Sequence, residues 1–124
     1  MVKRKRAAYR DLAVWDKSVE FVCIVFKLVE QLDAGERKHY RLVEQLESAA
    51  ASIAMNIAEG KGRWSKKEFS HFLVIARGSL YETMTLLEIM KRVGWISGGS
   101  CTALELRADE IARMINGLRS SLRS

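Results

Sequence analysis

The chain has 124 residues, which suits one domain with a single hydrophobic core. Hydrophobic residues make up 48 % and charged residues 29 %, so the composition excludes an intrinsically disordered chain. The sequence contains no run of about eighteen apolar residues, so no membrane-spanning helix is predicted. The formal net charge of +6 favours a polyanionic partner such as nucleic acid.

The first eleven residues are predicted to be a basic N-terminal tail, and residues 12–124 a single helical domain. The tail carries the cluster Lys3, Arg4, Lys5 and Arg6. No apolar segment of the signal-peptide type follows it, and Cys23 and Cys101 match no metal-binding spacing. We therefore expect a reduced, cytoplasmic protein that does not bind a membrane.

The first helix is predicted over residues 12–32 from two apolar stripes at helical spacing. The clearer stripe follows heptad-like steps of three and four and comprises Leu12, Trp15, Val19, Val22, Phe26 and Val29. A second stripe comprises Phe21, Val25, Leu28 and Leu32. The two together are wider than one core-facing seam needs, so the extra width is either core or an interface between copies.

A turn at residues 33–36 leads to a second predicted helix over residues 37–59, for which Gly60 is a natural stop. The short segment 61–64 that follows is a basic loop containing a tryptophan. A third helix begins after Ser65, which forms a capping box with Glu68, and it runs to about Val93.

The fourth helix is predicted from a second capping box, formed by Thr102 and Glu105, after a connection over residues 95–100. No alternation of period two competes with these helical patterns. Four amphipathic helices with short connections predict an all-α fold, an antiparallel up-down-up-down four-helix bundle.

Helix two also carries a polar line beside its apolar one. At helical spacing this line contains Gln45, Ser52, Asn56 and Glu59. Folding helices two and three as a hairpin near Gly62 is expected to place Gln45 with Ser79 and Glu82 in one cluster. Asn56 and Glu59 are expected to form another near the loop. Such a network either fixes the helix register or contacts a ligand, and the sequence leaves both open.

Small residues on helices two and three predict a close approach of the two backbones. Gly78 lies inside the third helix, where glycine costs about 1 kcal/mol relative to alanine. A close helix–helix contact at Gly78 is the expected reason for it.

Two Glu-x-x-His pairs, Glu36 with His39 and Glu68 with His71, match the spacing that di-iron bundles use. They begin successive antiparallel helices and therefore lie at opposite ends of the bundle, too far apart to share a metal. Neither histidine has a serine or cysteine partner at helical spacing, and no phosphate-binding glycine loop or nucleophile elbow occurs. We expect no metal, no cofactor and no catalysis.

The basic clusters are the stronger functional signal. Beside the tail cluster, the segment after helix two carries Lys61, Arg63, Lys66 and Lys67, with Trp64 among them. Lysine and arginine neutralise phosphates, and an exposed aromatic ring stacks on a base. In an up-down-up-down bundle both clusters lie at one end, so they are predicted to form one patch; the alternative is solvated surface charge.

Several segments are similar to a known family. They include Asn-Ile-Ala-Glu-Gly at residues 56–60 and Gly-Ser-x-x-Glu at residues 78–82, and they span residues 9–15, 45–46, 52–60, 65–69 and 76–82. They resemble the bacterial four-helix bundle proteins encoded by intervening sequences of large-subunit ribosomal RNA genes. One departure is Glu47 and Ser48, where many relatives carry arginines.

That family is similar in fold to the accessory variability determinant of diversity-generating retroelements, a basic ring-shaped homopentamer that binds nucleic acid and a reverse transcriptase. The resemblance implies a bundle and an oligomer, with a homopentamer as the first expectation. The leading hypothesis is a non-enzymatic homo-oligomer that binds RNA or DNA through the tail and loop clusters. The alternative is a scaffold that recruits an acidic protein or a polymerase such as a reverse transcriptase.

Overall fold

The computed structural model describes residues 7–32, 35 and 39–123. Within these residues, a short 3₁₀ helix at Ala8–Asp11 precedes four α-helices whose bounds are given: α1, Ala13–Glu30; α2, Tyr40–Lys61; α3, Lys66–Arg92; and α4, Gly98–Ser121. The tail cluster and most of the predicted 33–36 turn lie outside the described residues, as do the first residues predicted for helix two. None of the described helices is both long and apolar enough to cross a membrane.

The four helices form an antiparallel bundle, as predicted. Gln45 of α2 hydrogen-bonds Glu82 of α3. Ser52, later on α2, bonds Ser79, which comes earlier on α3, so the two helices run in opposite directions. The hydrogen bonds between α3 and α4 join earlier residues of one helix to later residues of the other, so these two helices are also antiparallel. Each helix packs against its neighbours in the chain, and α1 also packs against α4, which closes the bundle around one core.

The core of the bundle is filled by apolar, mostly aliphatic side chains from all four helices. The largest fully buried ones are Phe21, Val25, Leu46, Ile53, Ile57, Leu73, Leu80, Leu87, Met90, Leu104, Ile111 and Ile115. Burial of this apolar surface is the main stabilising contribution to the fold.

The clearer predicted stripe of α1 is not the one that enters the core. Val14, Phe21 and Val25 are buried, whereas Phe26 of the heptad-like stripe is exposed and its other members are half-buried. The buried stripe contains Phe21 and Val25 of the second predicted stripe, and it also includes Ser18, which is fully buried. Its hydroxyl donates to the Val14 carbonyl oxygen at 2.7 Å, which offsets the cost of burying it.

A close approach of α2 and α3 occurs at Gly60, not at Gly78 as predicted. A Cβ on Gly60 would lie 2.6 Å from Cβ of Phe72 and 3.0 Å from a ring carbon of Phe69. Gly60 therefore does not stop the helix: α2 continues to Lys61, and Gly62 caps it with an ordinary helical φ of −78°. Gly78 is exposed, and a Cβ there would meet no atom within 4 Å.

Helix α3 begins and ends as the sequence predicts. The Ser65 hydroxyl accepts a hydrogen bond from the Glu68 amide at 3.1 Å, which satisfies an N-terminal donor of the helix. At the other end, Gly94 has a φ of +86°, a conformation that favours glycine. Its amide donates to the Lys91 carbonyl, and this closes the last turn.

The predicted start of α4 is wrong by about one turn. Ser97 caps the helix by accepting from the Ser100 amide at 3.1 Å, and Thr102 and Glu105 are exposed residues inside it. Gly98 and Gly99 suggested a loop because glycine is unfavourable within helices. They instead occupy the first turn, where the Ser97 cap supplies a local partner.

Polar side chains join α2 to α3 along one edge of the bundle, but in a different grouping from the predicted one. The Ser52 and Ser79 hydroxyls share a hydrogen bond of 2.9 Å, and the Asn56 amide donates to the Ser52 hydroxyl and carbonyl oxygens, each at 2.8 Å. Gln45 pairs with Glu82 alone, at 3.3 Å. Ser79 lies too far along α3 to reach Gln45, because the hairpin places it opposite Ser52.

Gly60→Ala is expected to destabilise the protein by about 1–3 kcal/mol, because the new methyl group would clash with Cβ of Phe72 and force α2 and α3 apart. Gly117→Ala is the matched control, since a Cβ there meets no atom within 4 Å. It is expected to stabilise by about 1 kcal/mol. Urea unfolding measures both, and an unchanged Gly60→Ala midpoint would contradict the close contact.

Ser52→Ala and Ser79→Ala are expected to be coupled, because each removes the same hydrogen bond between α2 and α3. A double-mutant cycle in urea should give a coupling energy of about 1 kcal/mol. Nucleic-acid affinity of the folded variants should be unchanged if the network only fixes the register. Strictly additive losses of stability would show that the bond contributes nothing.

Candidate nucleic-acid interface

The basic residues between α2 and α3 do not form one continuous cluster. Lys61 lies over the ring of Phe69, with Nζ 5.6 Å from the ring centroid, and the Arg63 guanidinium lies 4.8 Å from the centroid of Phe72. Both cations are thus positioned by the aromatic rings that pack beside Gly60. The close contact of α2 and α3 therefore also orients the charge of the loop.

Lys66 and Lys67 face a different surface, between the start of α3 and the end of α4. We call this surface the basic groove; it is lined by Lys66, Lys67, Ser70, His71, Val74, Arg119, Leu122 and Arg123. Arg119 is held in place because its Nε donates to the Ser70 hydroxyl at 3.2 Å. The antiparallel packing of α3 and α4 brings these residues together from positions about fifty apart in the chain.

The basic groove concentrates positive charge. Four of its eight lining residues are lysine or arginine, and no acidic side chain is among these eight. The α3 N-terminus adds the partial positive charge of its backbone amides, although Ser65 already satisfies one of them. An anion that enters this groove meets lysine and arginine donors from two helices. The chemistry of the groove therefore suits a phosphate or a short stretch of phosphodiester backbone.

Sequence reasoning missed Arg119 and Arg123. They belong to no charge cluster in the sequence, since Arg119 stands at the end of α4 among small and apolar residues. The signal that could have found them is topological: in an up-down-up-down bundle, the end of helix four lies beside the start of helix three.

Two of the other predicted site residues, Arg63 and Trp64, lie on the far side of the loop. Arg63 forms an ion pair with Glu59, which lies one turn earlier on α2. Glu59 is therefore paired with Arg63, and not with Asn56 as predicted. Trp64 is fully exposed, with a relative accessibility of 101 %. It lines a second groove with Tyr9 of the 3₁₀ helix, so the start of the described chain and the loop share one end of the bundle. Lys3, Arg4, Lys5 and Arg6 lie outside the described residues.

One group of side chains has the composition of a metal site. The ligand atoms of Glu88, Cys101 and Glu105 lie within 4.8 Å of one another near the α3–α4 connection. Hydrogen bonds from Arg92 and Lys91 hold the pKa of the Glu88 carboxyl below its usual value. Burial, reinforced by Glu105, raises the pKa of the Cys101 thiol. Glu88 is therefore engaged in ion pairs with Lys91 and Arg92, and the Cys101 thiol donates a hydrogen bond to the Glu105 carboxylate at 3.8 Å.

The two histidines of the Glu-x-x-His pairs lie at opposite ends of the bundle. His39 stacks on Trp95 of the α3–α4 connection, with ring centroids 4.8 Å apart. His71 lines the basic groove at the other end and makes an edge contact with Phe72. Glu36 lies outside the described residues. The geometry therefore brings no second histidine to either end among the residues that are described.

Comparison with known proteins places this chain in a family. The fold is similar to that of a protein of unknown function from the S23 ribosomal protein family of Bacteroides thetaiotaomicron, with a TM-score of 0.79 and 27 % identity over 86 % of this chain and 98 % of that one. Among curated proteins, no sequence matches. A family model described as 23S rRNA-intervening sequence protein matches residues 10–117. The chain therefore belongs to the 23S rRNA-intervening sequence protein family.

Proposed function

We propose that this protein is a non-enzymatic, cytoplasmic homo-oligomer that binds nucleic acid through its phosphates. The observation that carries the proposal is the basic groove, in which Lys66, Lys67, Arg119 and Arg123 converge from two helices with no acidic lining residue. The net charge of +6 adds long-range attraction for a polyanion. Lys61, which lies over the ring of Phe69, adds positive charge on the other side of the loop, whereas Arg63 is paired with Glu59.

RNA is the first nucleic acid to test. The description of the family refers to 23S rRNA intervening sequences, and the structural relative comes from a family described as ribosomal. Neither description states what the proteins bind. Contacts made mainly to phosphates would accept RNA and DNA alike, so the proposal predicts little dependence on base sequence.

Binding is expected to be steeply salt-dependent. In fluorescence anisotropy with labelled RNA and DNA, log affinity should fall with log salt by about 0.7–0.9 per neutralised phosphate. Changing the four groove cations Lys66, Lys67, Arg119 and Arg123 to alanine should weaken binding at every sequence and flatten this slope. A second variant, Lys61→Ala with Arg63→Ala, measures the contribution of the loop.

The matched control removes four exposed positive charges elsewhere, by changing Lys27, Arg41, Arg107 and Arg113 to alanine. It should retain most of the affinity if the groove is the site, and it should lose as much as the groove variant if only net charge matters. Absence of binding at low salt would overturn the proposal. A saturable protein partner would then support the scaffold function instead.

The proposed assembly is supported by an apolar stripe on the outer face of α3. Val74, Ile75, Tyr81 and Ile89 are exposed there, Tyr81 by 53 % and Ile89 by 44 %. Gly78 lies between them, with no atom within 4 Å of where its Cβ would be. An apolar stripe on the outside of a helix that already buries its inner face is typical of an interface. The family resemblance makes a homopentamer the first expectation.

Introducing charge into the α3 stripe is expected to dissociate the assembly, because a buried unpaired carboxylate is costly. Tyr81→Glu combined with Ile89→Glu should reduce the mass measured by light scattering towards 14.1 kDa, the mass of one chain. Leu106→Glu on α4 is the control, since Leu106 is 66 % exposed and lies outside the stripe. A wild-type monomer would contradict the proposed assembly, and an intact assembly in the double variant would contradict this interface.

A further inference from the structure

The second groove lies on the other side of the loop from the basic groove, between the 3₁₀ helix, α1 and the end of α2. We call it the aromatic groove; it is lined by Tyr9, Trp15, Val19, Ala54, Met55, Ala58, Glu59, Gly62, Arg63 and Trp64. It is open to solvent, has a volume of about 800 Å³ and is mostly apolar. Three of its lining residues are aromatic and come from three separate segments of the chain. Its size falls within the range of small-molecule sites.

The aromatic rings of this groove differ in how firmly they are held. Tyr9 and Trp15 pack edge to face, with centroids 5.1 Å apart, and the Arg10 guanidinium lies 5.6 Å and 5.5 Å from the two centroids. Trp64 is fully exposed, so the faces of its indole are open to solvent. A large ring exposed at the rim of an apolar groove gains free energy when another flat apolar surface covers it.

The groove also carries paired polar groups at its rim. The Arg63 guanidinium donates to the Glu59 carboxylate, and both residues line the groove. Together they present donors and acceptors side by side, a combination that matches the edge of a nucleobase, which also offers both. The arrangement therefore combines an apolar stacking surface with a polar edge.

The aromatic groove lies at the same end of the bundle as the basic groove. Trp64 precedes Lys66 by two residues, and the α2–α3 loop separates the two grooves. A strand whose phosphates occupy the basic groove could therefore place a neighbouring base against Trp64. In a duplex the base faces are already stacked on each other, so only an unpaired base offers a free face to an aromatic side chain.

We propose that the aromatic groove binds an unpaired base, so that the protein prefers single-stranded to double-stranded nucleic acid. This inference rests on the proposed nucleic-acid binding and adds the class of nucleic acid that is preferred. Trp64 supplies the stacking face, Tyr9 and Trp15 form the apolar wall, and Arg63 with Glu59 meets the base edge.

The test compares three fluorescein-labelled DNA probes of equal length: a single strand, its duplex, and a strand of abasic sites that has the phosphates without the bases. The wild-type protein should bind the single strand about tenfold more tightly than the abasic strand, the gain expected for stacking of one base. Trp64→Ala should abolish this difference and leave affinity for the abasic strand unchanged, whereas Trp64→Phe should retain part of it.

Tyr40→Ala removes another exposed aromatic ring, outside the groove, and should change none of these affinities. Equal wild-type affinity for the single strand and the abasic strand would overturn the inference while leaving phosphate binding intact. Failure to bind any probe would overturn both proposals. Light scattering completes the test, because a change of mass in Trp64→Ala with unchanged relative affinities would assign the groove to contacts between copies.

Discussion

The close packing of α2 on α3 at Gly60 is the constraint on which the rest of the structure depends. No side chain fits between Gly60 and Phe72, so the two helices meet there with backbone against side chain. Packing density in protein cores leaves little room for adjustment, and a single methyl group at this point would move a whole helix. The Ser52–Ser79 hydrogen bond then fixes the register farther along the hairpin.

This contact also decides how charge is displayed at the end of the bundle. Phe69 and Phe72, which pack at Gly60, are the rings over which Lys61 and Arg63 lie. The α2–α3 loop is short, so Trp64 projects into solvent while Lys66 and Lys67 begin the next helix on the opposite side. One tight helix–helix contact thus divides a basic stretch of sequence between two grooves that differ in chemistry: one is cationic and the other aromatic.

Much of the fold could be predicted from the sequence because its signals are local. Helical periodicity gave the four helices, the Ser65 cap set the start of α3, and Gly94 ended it with a positive φ. Predictions failed where two local signals competed. In α1 the heptad-like stripe competed with the stripe of Phe21 and Val25 that is buried, Gly98 and Gly99 disguised the first turn of α4, and Gly60 resembled a helix stop although its role is in packing.

The sequence by itself determined the helices, the excess of positive charge and the basic character of the loop, since these follow from residue type and spacing. The tertiary structure alone decided which of the charged and aromatic side chains lie together. Arg119 joins Lys66 and Lys67 because α3 and α4 run antiparallel, and Tyr9 joins Trp64 because the 3₁₀ helix packs beside the end of α2. Such groupings depend on contacts between residues distant in the chain, which no local pattern encodes.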